Sequence, residues 1–429
     1  MLISKEMKNM AESLFWKTYR YRIDEGKVLP YELPDPFTCF DGQKITTKEE
    51  WIQKRRPELK KFYEDNLYGV IPPPPDHIEF HLLRQKDDAL EGTAVRKEIE
   101  IVCSMKDGRS FSFTMLLYLP KGATAPVPAF LMMNFYGNHA ASDEPDVLIS
   151  DKQIGFLCRT NMQTVEQRAR LRGSDELADK GFKYGCRECI RRGYAVATIW
   201  YESLMPDNGD FFDLSIYNLF YVNQDYHSEK RNYGSFCAWA WGFSRGIDCL
   251  ENEMGVDASK IAIVGHSRLG KTALWAGVCD ERVALTISNN SGCCGAKLFH
   301  RDFGECLWLH AYGRPYWYTM GIQNYALDEA HLPVDQHELL GLIAPRLVYV
   351  ASATDDLGAD PKGEFLSAWY AGEIYKLYGL NGLDCSLDDW KPDCLFQDGS
   401  IGYHLRPGEH AFLPYDWDRY LNFADKHLR

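Results

Sequence analysis

Between Val264 and Trp275 the chain reads VGHSRLGKTALW. A serine between an apolar strand and a helix sits where a sharp turn can lift its hydroxyl above a sheet, ready to attack a carbonyl. The usual pattern is G-x-S-x-G. Here Gly265 is in place and Ser267 follows it, but the next glycine is Gly270, one residue late, and Arg268 comes directly after the serine. Two readings stand open: a nucleophile in an altered elbow, or a serine that merely caps the helix.

A nucleophilic serine needs a base, and the base needs an acid to orient it. In open α/β sheets with such an elbow the chain order is serine, acid, histidine. Downstream, RLVYVASATDD is an apolar strand running into Asp355 and Asp356, and GYHLRPGEHAF carries His404 and His410. Asp356 and His410 have the required order and strand-end placement. Asp355 and His404 compete with them. Upstream, the strand VPAFLMMN ends in NFYGNHA, whose Asn134 and His139 are candidates to meet substrate beside a second oxyanion donor. Arg268 puts a cation in the first turn of a helix, where it opposes the helix dipole. That placement points to an anionic partner, either substrate or a developing oxyanion.

The elements around these residues alternate. IEFHLLRQ, AVRKEIEIVCSM and SFSFTMLLYLP read as antiparallel strands separated by turns such as KDG. From about residue 125 onward, continuous apolar strands (VPAFLMMN, GYAVATIWY, KIAIVGHS, VALTISNN, RLVYVASA) alternate with helices such as GSFCAWAWGFSRGIDCLENEM and DWDRYLNFADKHL. This predicts an α/β fold with a doubly wound, mostly parallel sheet flanked by helices, whose ligand site lies at the carboxyl ends of the strands. Residues 1–429 are read as one domain. It has an N-terminal extension over about 1–75, with a charged helix marked by Trp51 and Phe62, and insertions over about 140–180 and 295–340. GYHLRPGEHAF is read as a loop.

Bulk composition narrows the function. The net charge of −13 argues against nucleic acid and anionic membrane partners. Aromatic residues are 14% of the chain, a composition that suits sugar handling as well as a large core. No run of 18 apolar residues occurs, and the first residues lack a signal-peptide pattern. The expectation is a cytoplasmic protein, or a secreted one if a leader has been removed. Thirteen cysteines lack disulfide-like spacing and are read as free thiols. Cys186 and Cys189 form a C-x-x-C without a second ligand pair, so they are read as two thiols on one helix face, not as a redox or metal site. No metal or other cofactor is expected.

GHSRLGKTALWAG, RDFGE, LPVDQHELLGLIAPRLVYVASA, DPKGEF and GYHLRPGEH together resemble the glucuronoyl esterases, carbohydrate esterase family 15, over roughly residues 125–429. The resemblance implies an α/β-hydrolase that cleaves the ester between a glucuronate carboxyl and an alcohol, lignin-derived or methanol. It implies Ser267 as nucleophile, His410 as base and Arg268 at the oxyanion. Lys271 and Glu305 match positions that contact the uronate hydroxyls. The chain departs from the family in two places. Asn290 stands where many members have an acid, which leaves Asp356 as the acid. Gly358 stands where many have a sugar-stacking tryptophan, a role for which Trp317, Trp308 and Tyr318 are replacements. Members are usually exported. Two other functions fit the same residues: a carbohydrate deacetylase, and a catalytically silent sugar-binding protein on the same scaffold.

Overall fold

In the computed structural model, residues 22–142, 144–150 and 184–429 are described, apart from 222, 223, 227 and 229, together with the isolated positions 166 and 169. Ten strands form one sheet: β1 His77–Asp88, β2 Ala94–Ser104, β3 Ser110–Pro120, β4 Val127–Asn134, β5 Ala195–Trp200, β6 Val256–His266, β7 Val283–Asn289, β8 Leu347–Ala353, β9 Leu395–Phe396 and β10 Ile401–Arg406. Their order across the sheet is β1-β2-β3-β5-β4-β6-β7-β8-β10-β9. The first three run antiparallel, as their alternating pattern predicts, and the strands from β5 through β10 pair in parallel. β9 closes the far edge antiparallel to β10. The chain moves from β4 outward to β5 and then returns to β6 on the other side of β4. That reversal opens a crevice at the strand carboxyl ends, the usual place for a ligand in such a sheet.

The helices that matter for the site are α1 Arg56–Asn66, α2 Cys186–Arg191, α3 Ser235–Glu251, α4 Arg268–Cys279, α5 Leu307–Gly313, α6 Gln336–Gly341, α7 Pro361–Lys376 and α8 Pro414–His427. α3, α4 and α7 cover one face of the sheet, and α2 and α8 the other. The apolar runs serve both layers at once. In β4, Ala129, Leu131 and Met133 join one core while Phe130 and Met132 join the second. A strand buried on both faces has no reason to alternate polar and apolar residues. None of the described helices is long and apolar enough to cross a membrane.

Two expectations need correction. GYHLRPGEHAF is not all loop: Ile401–Arg406 is a fully buried strand paired in parallel with β8. Its polar residues disguise it, because each is satisfied inside the fold. His404 bonds the Tyr349 hydroxyl at 3.0 Å and Asp416 at 2.9 Å, and Arg406 bonds Asp416 at 3.1 Å. The N-terminal helix also differs. Lys48–Glu50, a π turn over Trp51–Arg55 and α1 run end to end, and the buried residues are Trp51, Arg55, Leu59 and Tyr63. Phe62 is only half-buried, and Arg55 pairs with Glu338 of α6 at 2.8 Å. Residues 51–63 therefore share a core with the sheet and with the segment 296–334. Most of the expected insertion over about 140–180 lies outside the described residues.

Candidate active site

β6 ends at His266 and α4 begins at Arg268, so Ser267 alone makes the turn. Its φ of 57° and ψ of −126° lie where a residue with a Cβ is strained, the signature of a nucleophile elbow. Its side chain makes no capping hydrogen bond to α4, which sets aside the helix-cap alternative. Close packing accounts for the glycines. A Cβ on Gly265 would stand 1.8 Å from the Leu269 carbonyl oxygen. On Gly270 it would meet Ser288 Oγ at 3.1 Å and the Asn289 carbonyl at 3.2 Å, so the late glycine lets α4 lie against the end of β7.

The end of β8 and the loop after β10 interlock by backbone bonds. Thr354 N–H donates to Arg406 O at 2.9 Å, and Asp355 N–H donates to Gly408 O at 2.9 Å. This lacing brings His410 Nδ1 within 2.6 Å of Asp356 Oδ2. The competitors are occupied elsewhere: exposed Asp355 accepts from the Thr354 hydroxyl, and His404 is sealed in β10. With Nδ1–H given to the carboxylate, His410 Nε2 is left as the basic nitrogen. Asn290 Nδ2 donates to the same Asp356 Oδ2 at 2.9 Å. The asparagine at the alternative acid position thus orients the carboxylate.

Ser267, Asp356 and His410 open on one cavity of about 410 Å³. Arg268, Lys271, Glu305, His310, Trp317 and Gly358 also line it. The anion that Arg268 seemed to require is supplied by the protein. Its Nη1 pairs with the fully buried Asp207, and its guanidinium lies 4.9 Å from the Trp317 ring centroid and 5.9 Å from that of Phe135. Asp207 also accepts from Trp317 Nε1 at 2.6 Å and from the hydroxyls of Tyr201 and Tyr316 at 3.1 Å each. Arg268 Nε is buried and has no hydrogen-bond partner among the described residues.

Lys271, one turn along α4, is buried and donates to the Ser291 carbonyl. Its Nζ stands 3.8 Å from Glu305 Oε2. Burial alone would raise the Glu305 pKa. The Lys271 ammonium, the His310 hydrogen bond at 3.2 Å and the charge of His410 outweigh it and hold that pKa at about 2. A charged donor beside a charged acceptor suits a vicinal diol.

Asn134 and His139 do not line this cavity. Asn134 is fully buried: its Nδ2 donates to Asn138 at 2.8 Å and Thr198 at 2.9 Å, and its Oδ1 accepts from Gly137 N–H at 2.7 Å. It shapes the loop after β4, and His139 is buried against Gly137 in the same loop. Of the aromatics weighed as replacements at Gly358, Trp317 lines the cavity. Tyr318 is buried behind it with its hydroxyl 2.9 Å from His310 Nδ1, and Trp308 lines a separate cavity of about 700 Å³ with Tyr31 and Leu327. Cys186 and Cys189 are buried thiols, as are Cys293 and Cys294, 4.0 Å apart. Sequence reading missed Asp207, His310 and Glu364. Asp207 and Glu364 meet partners far along the chain, and His310, which bonds Glu305 and Tyr318 nearby, sits in no motif that marks it.

A strained serine at a strand–helix elbow, followed in chain order by a carboxylate and a histidine in contact, places the molecule among the α/β-hydrolases. Comparison with known proteins is more specific. The family model described as "Glucuronyl esterase, fungi" matches residues 195–379. A carbohydrate esterase from an unknown prokaryotic organism is 38% identical over 95% of this chain and 92% of its own. A glucuronoyl esterase structure from Solibacter usitatus superimposes with a TM-score of 0.84 at 34% identity, covering 94% of this chain and all of that one. A 4-O-methyl-glucuronoyl methylesterase of Schizophyllum commune is 25% identical over 81% of this chain and 74% of its own. The chain belongs to the glucuronoyl esterase family, carbohydrate esterase family 15, and is a carboxylic ester hydrolase.

Proposed function

We propose that the protein hydrolyses esters of glucuronic acid, or of its 4-O-methyl ether, through an acyl-enzyme on Ser267. The observation that carries this reading is one cavity holding both the His410–Asp356 contact and the Lys271–Glu305 pair beside the strained serine. Ser267 Oγ attacks the ester carbonyl while His410 Nε2 takes its proton, and Asp356 holds the imidazolium that forms. The developing oxyanion meets the Arg268 backbone N–H at the start of α4 and the Arg268 guanidinium. His410 returns the proton to the departing alcohol, and water repeats the sequence to free the uronate. Lys271 and Glu305 read the sugar hydroxyls, and Trp317 offers the cavity an aromatic wall where Gly358 offers none. The substrate is a small or oligosaccharide uronate ester.

The test is a panel of methyl glucuronate, benzyl glucuronate and acetylated xylan, with Ser267→Ala as control. Turnover of the glucuronate esters that vanishes in Ser267→Ala is expected. Activity confined to acetylated xylan would move the sugar to the alcohol side and overturn the proposed substrate.

A further inference from the structure

Glu364, in the first turn of α7, is fully buried and plays no part in the chemistry just described. Its Oε1 accepts from Ser291 N–H at 2.8 Å, Gly292 N–H at 2.9 Å and the Ser291 hydroxyl at 3.2 Å. Its Oε2 accepts from the Ser352 hydroxyl of β8 at 2.6 Å. The turn it grips is left-handed at both ends, with Asn290 at φ 46°, which costs a residue with a Cβ, and Gly292 at φ 60°, which a glycine adopts freely. Asparagine visits this left-handed region more readily than most residues, but such a turn persists only where its surroundings over-determine it. Here Asn290 N–H is held by Ala351 O at 2.7 Å, and the next two N–H groups are held by Glu364.

That turn feeds both halves of the site. Asn290 sends its amide to the oxygen of Asp356 that receives His410, and the Ser291 carbonyl receives the Lys271 ammonium. We infer that Glu364 is a positioning residue that sets, through the Asn290–Gly292 turn, both the Asp356–His410 contact and the seat of Lys271. Burial pushes its carboxyl up to about 8, and the Asp356 charge adds to the rise against the Ser352 and backbone hydrogen bonds. Glutamine is therefore a close neutral replacement, with its oxygen on the two N–H groups and its amide donating to Ser352.

The inference rests on Ser267 being the nucleophile, so the readout is chosen to be independent of the natural ester. Labelling of Ser267 by a fluorophosphonate reports on the serine and its base whatever the substrate, and KM for methyl glucuronate reports on Lys271. Glu364→Ala, folded by circular dichroism, is expected to label at least tenfold more slowly and to raise KM at least fivefold. Glu364→Gln is expected to recover most of both losses. A folded Glu364→Ala that labels at the wild-type rate, even with a lowered Tm, overturns the inference and leaves the residue a purely structural one. Should Glu364→Ala not fold, Ser352→Ala removes one bond to the carboxyl and is expected to slow labelling two- to fivefold, and an unchanged rate there also overturns it. Wild-type protein that labels but leaves uronate esters intact sinks the proposed substrate alone.

Discussion

Two groups of residues line the same cavity and are held there by different physics. Ser267, Asp356 and His410 stand on the ends of β6 and β8 and just past β10, fixed by backbone hydrogen bonds and by a strained turn, and His410 remains 39% exposed. Arg268 and Lys271 stand on α4 with side chains only 5% exposed, fixed by the carboxylates of buried Asp207 and part-exposed Glu305 and by the Ser291 carbonyl. The first group stores strain and keeps access to solvent, which the proposed proton transfer and hydrolytic water both need. The second gives up solvent to keep cations at a wall where they act with little screening. Changes in the first should therefore cost rate with little stability, and changes in the second should cost both.

Ser267→Ala is the sharpest break on the strand-end side. Loss of kcat by about 10⁴-fold or more is expected, with a Tm near wild type because the Cβ and its strain remain. Ser267→Gly should match that loss of activity and unfold at a higher temperature, since glycine relieves a backbone cost of about 1–3 kcal/mol. A Tm no higher than that of Ser267→Ala would show that the turn stores nothing. On the charged side, Asp207→Asn leaves the Arg268 cation buried without its counter-ion. A stability loss of about 3–5 kcal/mol in urea unfolding is expected together with a fall in kcat/KM. A folded, fully active Asp207→Asn would collapse the contrast between the two groups. Glu305→Gln removes the charged acceptor and should raise KM for methyl glucuronate about 10- to 100-fold with a smaller change in kcat.

The same contrast decides what could be read from the sequence. The strand-end group was legible because an apolar run that stops at Ser267, or just short of Asp356, announces a strand end, and the fold places all such ends along one edge. The strand β10 was hidden because His404 and Arg406 look like surface letters until Asp416 and Tyr349 are seen to satisfy them. The charged group was legible only at Arg268, Lys271 and Glu305, and then by family resemblance. Its supports were not legible, since Asp207 meets Arg268 across 61 residues and Glu364 meets Ser291 across 73. No local period encodes such a pairing. Asn134 and His139 erred the other way: polar letters at a strand end suggested substrate, yet they are buried in the loop they shape.

The smallest expected effect is an absence of change with pH. Because Glu305 is held at about 2, its folded pKa lies below the 4.5 of a free glutamate. Its charge, and the stability it lends, are therefore present above about pH 4.5 and are lost only as pH falls through about 2. Its pairing with Lys271 should therefore keep its form between about pH 5 and pH 8. Initial rates on methyl glucuronate between pH 8 and about pH 5 should then give a KM that stays level within about twofold. A KM that climbs toward about pH 5 would mean that Glu305 titrates in this range and that Lys271 does not hold its charge.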